Sequence, residues 1–312
     1  MAPRPSARYG SPCYFSQAVS FDPVATTAWL TARLRAEESA RPSPLSRDPF
    51  AARLVAAEGA PEDLFGGASP IPLVSSFQEF IALFQTDPRA ASRVARAASL
   101  AVRSRYFDDL VLEAVAGGAR TVVMVAAGLD TRVYRLALPP GLLWIEVDRA
   151  ETLAYKRQVL HDAEPRAEIL DVGGDLRDAA VVGEVARAVR GPSLWVMEGL
   201  VVYLQAAEVD TLLDTVARQI SKGSALAFDV PNLTSVDPKG PVGEHVARHI
   251  ARGSPWTFAT DAPAALVEKR GLVADVVAVG HPRAHYGRLP WPAAETPRPG
   301  QPVNFLVKGT RA

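Results

Sequence analysis

The amino-acid sequence predicts an α/β protein with one doubly wound, seven-stranded, mostly parallel sheet and an N-terminal helical cap. Apolar residues recur at helical spacing up to about residue 116, Gly117 and Gly118 interrupt this pattern, and short apolar strands then alternate with helices. We therefore divide the chain into a cap, residues 1–116, and a sheet domain, residues 117–312. The predicted strands are Thr121 to Ala126, Leu142 to Val147, Ala167 to Asp171, Leu194 to Met197, Ala225 to Val230, Leu272 to Val279 and Val303 to Lys308.

The predicted cap consists of helices separated by proline-rich stretches such as Arg41 to Pro49. In one of these helices Phe77, Phe80, Ile81 and Phe84 are spaced i, i+3, i+4 and i+7, which places them on a single face. We expect that face to pack in the core rather than to line a site for a flat apolar ligand.

The sheet domain contains one clear amphipathic helix and two long insertions. The insertion at about residues 232–258 is a candidate lid, and residues 281–302 form a proline-rich segment. Because the last two strands have no helix between them, we expect them to pair antiparallel. The amphipathic helix ends at Ser221, Lys222 and Gly223, and its apolar stripe is Val209, Leu212, Leu213, Val216, Ala217 and Ile220.

Composition excludes several classes of function. The 34 basic residues balance the 34 acidic residues, so a nucleic-acid partner is not expected. The longest apolar stretch, Val122 to Leu129, is too short to cross a membrane. The first ten residues lack the apolar core of a secretory signal, and Cys13 is the only cysteine. We expect a cytoplasmic protein without an intrachain disulfide, and we interpret Cys13 as a small packed side chain or an exposed terminal residue rather than a nucleophile.

The first two strands end in a pattern typical of a cofactor site. Ala126 and Gly128 belong to a loop of small residues after the first strand, and Asp148 follows the second strand, 20 positions after Gly128. Such a carboxylate can accept hydrogen bonds from both hydroxyls of a ribose. The loop has no G-x-G-x-x-G triplet to hold a pyrophosphate, so S-adenosylmethionine fits better than NAD. The spacing alone is also compatible with a simple strand-to-helix turn.

Four ordered motifs resemble the leucine carboxyl methyltransferase family. They are AGLDTRVYRL from Ala127, WIEVDRAETLAYK from Trp144, GGDLRD from Gly173 and MEGLVVYL from Met197. The resemblance continues upstream in RSRYFDDLVL and downstream in HYGRLP, so it covers nearly the whole chain. It is strongest toward the bacterial branch that contains the tetracenomycin-type polyketide carboxyl methyltransferases. The resemblance implies a class I, Rossmann-like methyltransferase fold and S-adenosylmethionine as the cofactor.

The resemblance also implies roles for particular residues. Arg103, and less directly Arg35, match basic residues that contact the methionine carboxylate of the cofactor. Ala126 and Gly128 match the loop under the methionine group, although most family members have glycine where this chain has Ala126. We expect Ala126 to adopt ordinary β geometry as the last residue of its strand.

Four further residues match cofactor contacts of the family. Asp148 matches the ribose-binding carboxylate, Asp175 and Leu176 match the pair beside the adenine, and Glu198 matches an acidic residue that faces the amino group. A cation for the cofactor's carboxylate and an anion for its ammonium are the groups that such a zwitterion requires.

The expected reaction is transfer of a methyl group to a carboxylate of a small metabolite, such as a polyketide. Tyr203, Tyr286 and Arg288 are candidates for holding the acceptor carboxylate. An acceptor with a phenol or another hydroxyl would need a base, for which His281 and His285 are candidates in a segment expected to fold over the pocket. A peptide C-terminal carboxylate, a nicotinamide-dependent oxidoreductase and an inactive cofactor-binding homologue remain alternatives.

His245 and His249 are spaced i and i+4, which is compatible with a zinc site on one helical face. The segment lacks the H-E-x-x-H order, a cysteine or an evident third ligand. We therefore expect no metal and predict that the two histidines lie on a solvated helix face. The expected partner is a small-molecule acceptor, without nucleic acid or membrane, and the oligomeric state is left open.

Overall fold

The computed structural model describes residues 22–57, 71–175 and 177–311. Seven strands form one sheet in the order β3-β2-β1-β4-β5-β7-β6. Every predicted strand is present, with its ends within two residues of the prediction. The strands are β1 Thr121–Val125, β2 Leu143–Asp148, β3 Glu168–Gly173, β4 Ser193–Met197, β5 Ala225–Pro231, β6 Val273–Ala278 and β7 Asn304–Thr310.

The sheet is doubly wound, and the order of its strands reverses between β1 and β4. The first five strands are parallel to one another, and β7 lies antiparallel between β5 and β6. The predicted antiparallel pairing of the last two strands is therefore confirmed. The four central strands β1, β2, β4 and β5 are almost completely buried, as expected for apolar runs covered by helices on both faces.

Helices before and between the strands cover the two faces of the sheet. Two buried apolar clusters result, one including Val102 and Phe107 and the other including Leu213 and Val216. The amphipathic helix predicted around Val209 is confirmed. The helices are α1 Pro23–Ser39, α2 Ala51–Ala56, α3 Phe77–Thr86, α4 Pro88–Ala116, α5 Arg132–Arg135, α6 Ala150–Val159, α7 Ala179–Ala188, α8 Ala206–Ala217, α9 Leu233–Val236, α10 Gly243–Ala251 and α11 Ala265–Glu268.

Local signals set the limits of the long helices in the N-terminal part. Asp22 caps α1 by accepting from the amide of Val24 at 2.8 Å, and Asp87 caps α4 by accepting from Ala90 at 2.9 Å. A proline occupies the first turn of both helices, where its missing N–H has no cost. Helix α4 ends at Ala116, so Gly117 and Gly118 stop it as predicted.

The prediction that the apolar face of α3 packs in the core is wrong. Among the described residues α3 contributes none to the core, and Phe77, Ile81 and Phe84 are exposed. Within the described part of the chain, Phe80 is the one residue of α3 with a ring contact, and its centroid lies 5.8 Å from that of Trp291. Helix α3 packs beside α4 on the outside of the molecule, too far from the sheet to be buried by it. No helix in the described ranges is long and apolar enough to cross a membrane.

Candidate functional site

A cavity of about 740 Å³ lies at the carboxyl ends of the central strands, where the order of the sheet reverses. Its floor includes the residues that follow β1, β2 and β4, and its walls come from α1, α4 and α10. Doubly wound sheets bind ligands at this position, and the volume lies within the range of about 300–1,000 Å³ of small-molecule sites. The residues of the candidate lid that line the cavity include Ser235, His249 and Trp256.

The loop after β1 turns sharply beneath the cavity. The amide of Asp130 donates to the carbonyl of Ala127 at 2.9 Å, and Gly128 has a φ of 48°. A Cβ at Gly128 would lie 3.3 Å from the Cβ of Ala28, so glycine is required for both its conformation and its lack of a side chain. The strand ends at Val125, and Ala126 has a φ of 55°. The expectation that Ala126 adopts β geometry is therefore wrong.

Asp148 ends β2 and lies at the edge of the cavity. Its Oδ2 accepts from the amide of Gly128 at 2.7 Å, and its Oδ1 accepts from the amide of Arg149 at 2.7 Å. Burial raises the pKa of this carboxyl above its ordinary value, although both amides oppose that effect. Each carboxylate oxygen has a second lone pair, so Asp148 can still accept hydrogen bonds from two ligand hydroxyls.

Arg103 and Glu198 meet in an ion-pair network on the cavity wall. Arg103 donates from Nε to Glu198 Oε1 at 3.0 Å and from Nη1 to Asp229 Oδ2 at 3.0 Å. Burial alone would lower the pKa of Arg103, but Asp229 and Glu198 outweigh it and raise the pKa. Arg103 does not pair with Asp108 or Asp109, the carboxylates nearby in the sequence.

Gly199 and Asn304 complete this network. Asp229 Oδ1 accepts from the amide of Gly199 at 2.6 Å, and Asp229 Oδ2 accepts from Asn304 Nδ2 at 2.9 Å. Gly199 has a φ of 67°, and a Cβ there would lie 3.4 Å from the guanidinium of Arg103. Glycine therefore lets Arg103 reach both of its carboxylates.

Arg132 forms a second ion pair with Glu198. Its side chain is 2% exposed, and its Nη1 lies 2.8 Å from Glu198 Oε2. It also pairs with Asp130 and, from Nε, with Asp108 Oδ1 at 2.7 Å. These carboxylates raise the pKa of Arg132 despite the opposing effect of burial. Arg132 thus joins the loop after β1 to α4 and to the residue that follows β4.

The remaining predicted cofactor residues differ in how far they are enclosed. Arg35 lines the cavity from α1, donating to Asp48 Oδ2 at 2.9 Å and to the carbonyl of Leu129 at 2.6 Å. Asp175 lies exposed at the rim and pairs with Arg177 at 2.6 Å, which lowers the pKa of Asp175 to about 2. Leu176 lies outside the described residues.

Tyr203 lies at the cavity wall between the ionic network and α10. Its hydroxyl is beside Thr27 and Trp256, and burial raises its pKa. The ring centroid of Tyr203 is 6.4 Å from that of His249. Of the three residues predicted to hold an acceptor, Tyr203 is therefore the one that the structure brings to the cavity.

His245 and His249 are not on a solvated helix face, which corrects that prediction. Both line the cavity from α10, their ring centroids are 4.6 Å apart, and both pack against Trp256. The apolar Val246 directs α10 inward, so the histidine face turns toward the cavity. Burial and the nearby Arg96 lower the pKa of His245 to about 2 and that of His249 to about 4. No group of three metal ligands occurs in the described ranges.

The proline-rich segment 281–302 does not fold over the cavity, and none of its described residues lines it. His281 pairs with Glu295 at 2.8 Å, and His285 Nε2 lies 2.7 Å from the carbonyl of Trp291. The segment leaves the edge strand β6 and buries Ala284 and Leu289 in the cluster beside α4, which holds it away from the reversal point.

Tyr286 and Arg288 are held outside the cavity by contacts with the N-terminal helices. Tyr286 donates to Asp109 Oδ2 at 3.1 Å, and Arg288 pairs with Glu38 Oε1 at 2.8 Å. The structure therefore does not bring His281, His285, Tyr286 or Arg288 to the site where the sequence interpretation expected them.

Sequence reasoning missed Asp229, Asn304, Arg132 and Arg96 as residues of the cavity. A signal existed for two of them. Asp229 is the one charged residue in the apolar strand β5, close to its carboxyl end, and Arg96 precedes Arg103 by seven residues, which places both on one face of α4. Asn304 and Arg132 reach the site through β7 and α5, whose positions depend on the folded sheet.

Comparisons with known proteins agree with this architecture. A profile of the leucine carboxyl methyltransferase family matches residues 28–217. A protein of Mycolicibacterium gilvum named "Putative S-adenosyl-L-methionine-dependent methyltransferase" is 38% identical over 220 residues, covering 69% of this chain and 68% of that protein. A protein of Mycobacterium avium with the same name is 37% identical over 230 residues, covering 72% and 70%.

A solved structure shares the fold. It is a DUF574 family protein from Streptomyces avermitilis, with a TM-score of 0.53, 17% identity and coverage of 93% of this chain and 100% of that one. This likeness concerns the fold alone. The match of the family profile over more than half of the chain, together with the two relatives, identifies the family: this chain belongs to the leucine carboxyl methyltransferase family.

Proposed function

We propose that this S-adenosylmethionine-dependent methyltransferase transfers the methyl group of S-adenosylmethionine to a carboxylate of a small molecule and forms a methyl ester. The acceptor we infer is a natural product such as a polyketide acid, and the other product is S-adenosylhomocysteine. The observation that carries the choice of a carboxylate is that the described carboxylates of the cavity are held by donors and that its two histidines have pKa values far below neutral pH.

The residues of the cavity fit the cofactor chemically. Asp148 is suited to accept from ribose hydroxyls, Arg103 to bind a carboxylate and Glu198 to bind an ammonium. Arg35 and the loop of Ala126 and Gly128 would support the amino-acid end, with Asp175 beside the adenine. When bound, S-adenosylmethionine supplies a methyl group on a positively charged sulfur, and an acceptor oxygen bonds to that carbon while the electron pair of the broken bond stays on sulfur.

The chain's own task is to enclose and align the two reactants. The cavity has a buried floor and walls from three helices, so an acceptor inside it loses much of its hydration. Fixed alignment of a nucleophile with its target can contribute about 7–11 kcal/mol to lowering the barrier. A carboxylate is already ionised at neutral pH and needs no proton removed.

The carboxylates that line the cavity are already held by donors. Asp148 is engaged by amides, Glu198 and Asp229 by Arg103, and Asp130 by Arg132. At the rim, Asp22 pairs with Arg149 at 3.1 Å, Asp175 with Arg177 at 2.6 Å and Glu208 with Arg177 at 3.7 Å. Such carboxylates are poor bases for a phenol or an alcohol.

The histidines of the cavity are equally unsuited to general base catalysis. Their pKa values, about 2 for His245 and about 4 for His249, lie far below neutral pH. A base with so low a pKa removes a hydroxyl proton inefficiently. This favours an acceptor carboxylate over the hydroxyl alternative, and the loop after β1 has no phosphate cradle that would favour a nicotinamide cofactor.

The proposal is tested by transfer of labelled methyl from S-adenosylmethionine to a panel of aryl and alkyl carboxylic acids and the matching phenols and alcohols. We expect products that release labelled methanol in mild alkali, as esters do. Asp148→Ala serves as the control, because loss of the ribose partner should reduce transfer at least about 100-fold. Products that resist alkali would instead identify an ether-forming enzyme, and transfer by Asp148→Ala at the wild-type rate would contradict the assigned cofactor site.

A further inference from the structure

Four arginines gather where α4 meets α10, at the end of the cavity away from the network of Arg103. They are Arg93 and Arg96 on α4 and Arg248 and Arg252 at α10. Of these four, Arg96 lines the cavity. This end therefore carries several positive charges, and one of them faces the space that a ligand would fill.

Arg96 has no carboxylate partner within the described part of the chain. Its Nε is buried and has no hydrogen-bond partner there, whereas Arg103 is held by both Glu198 and Asp229. Burial, and then repulsion by the other three arginines, lower the pKa of Arg96 to about 10. Arg96 nevertheless stays charged at neutral pH, so this end of the cavity has a buried cation that an anion would stabilise.

The rings beside Arg96 add an uncharged wall. Arg96 Nη1 lies 3.1 Å from Nδ1 of His245, and because arginine can only donate, that nitrogen accepts and the proton of neutral His245 resides on Nε2. The ring of Trp256 lies 5.0 Å from that of His245 and 4.9 Å from that of His249. Flat rings next to a cation form a surface suited to an aromatic or apolar acid.

The position of Arg96 separates it from the cofactor end. Arg96 and Arg103 are seven residues apart on one face of α4, which corresponds to about 10 Å along the helix. Tyr203 lies between the two ends, near Arg103 on one side and His249 on the other. One face of α4 thus presents two cations to one cavity, and the carboxylates of this chain already hold Arg103.

We propose that Arg96 binds the carboxylate of the methyl acceptor, while Trp256 and the rings of His245 and His249 contact the apolar body of that acceptor. This subsite rests on the proposed function, and it gives Arg96 the part that the sequence interpretation gave to Arg288. The preferred acceptor is accordingly an aromatic or apolar acid that carries its charge at one end.

The test measures binding, so it does not depend on turnover. The full chain, saturated with S-adenosylhomocysteine, is titrated calorimetrically with benzoate, 2-naphthoate and octanoate, and with the carboxamide of each acid. We expect the best acid to bind about 10- to 100-fold more tightly than its amide, the range of charge-assisted hydrogen bonds. Arg96→Gln should abolish this preference while the affinity for the amide and for S-adenosylhomocysteine changes by less than about twofold.

Two further variants separate a specific subsite from a general charge effect. Arg96→Lys keeps the charge without the bidentate fork and should recover part of the preference. Arg89→Gln removes an exposed arginine from the same helix and should leave the preference unchanged.

The outcomes distinguish the subsite from the proposed function. A wild-type protein that binds none of the acids more tightly than its amide, or an unchanged preference in Arg96→Gln, overturns the subsite while methyl esters in the transfer assay still support the function. An Arg96-dependent preference together with only alkali-resistant products supports the subsite and contradicts carboxyl methylation.

Discussion

The two ends of the cavity differ in how their buried arginines are paired. At the end that we propose for the cofactor, Arg103 lies between Glu198 and Asp229, and Arg132 lies between Asp130, Asp108 and Glu198. At the other end Arg96 faces the cavity with a neutral imidazole as its described side-chain partner. Arg103 and Arg132 are compensated by carboxylates of the chain, whereas Arg96 has no carboxylate partner among the described residues.

This difference indicates which parts of the site are built before a ligand arrives. A network of alternating charges holds its side chains in place and requires little reorganisation when a zwitterionic cofactor binds. An uncompensated cation is stabilised only when an anion enters, so its pairing energy is available for binding. The end around Arg103 therefore contributes to folding stability, whereas the end around Arg96, which we call the acceptor end after the subsite proposed above, has a cation available for binding an anion.

The largest expected effect is on stability, from a matched pair of substitutions. Arg132→Met removes the buried cation that Asp108, Asp130 and Glu198 share, and we expect it to lower the free energy of unfolding by about 3–5 kcal/mol. Arg96→Met removes a repelled cation and should change that free energy by less than about 1 kcal/mol. Urea unfolding followed by circular dichroism measures both. Equal losses for the two variants would refute the comparison between the ends.

An intermediate effect is expected in the pH dependence of stability. His245 and His249 are kept neutral in the folded chain by burial, with Arg96, Arg248 and Arg252 adding to it, so their folded pKa values lie below the unfolded value of about 6.5. Below pH 6.5 the unfolded chain binds more protons, and stability present above that pH is lost as the pH falls. Each histidine contributes a slope of at most about 1.4 kcal/mol per pH unit.

Urea unfolding at pH 7, 6 and 5 tests this prediction. His249→Gln should have a shallower loss of stability than the wild type across this interval. The control is His161→Gln, because His161 is exposed and should leave the slope unchanged. Identical slopes for all three proteins would mean that the acceptor end does not exclude charged imidazoles.

The smallest effect concerns the loop under the cofactor end. Ala126 has a φ of 55°, a conformation that costs a non-glycine residue about 1 kcal/mol or more. Ala126→Gly should therefore raise the free energy of unfolding by about 1 kcal/mol, with little change in affinity for S-adenosylhomocysteine. Ala127→Gly, at the next and buried position, should lower it by a similar amount. Destabilisation by Ala126→Gly would show that its methyl group has a packing role.

The sequence was sufficient for the sheet because apolar runs and their spacing depend on local chemistry. It also located the loop around Gly128 and the carboxylate of Asp148, since both follow directly from strand ends. It did not predict that α3 would be exposed or that Arg288 would lie outside the cavity, because whether an apolar helix or a loop reaches the core depends on distant elements.

The acceptor end could not be predicted from the sequence for a related reason. The spacing of His245 and His249 showed that they share a helical face, but not which way that face turns. Packing of Val246 turns it inward, and only then does α10 meet Arg96 on α4. The backbone conformation of Ala126 was predicted wrongly because the sequence does not show at which residue β1 ends and the turn begins.

The place of β7 in the sheet has a consequence for synthesis of the protein. This strand lies between β5 and β6, both of which leave the ribosome before it, and its first residue, Asn304, donates to Asp229 at 2.9 Å. Because β6 pairs with the sheet through β7, it joins the sheet only after β7 has emerged and paired with β5. A chain that ends before Asn304 lacks the amide that donates to Asp229, so the network around Arg103 is complete only after β7 has paired with β5.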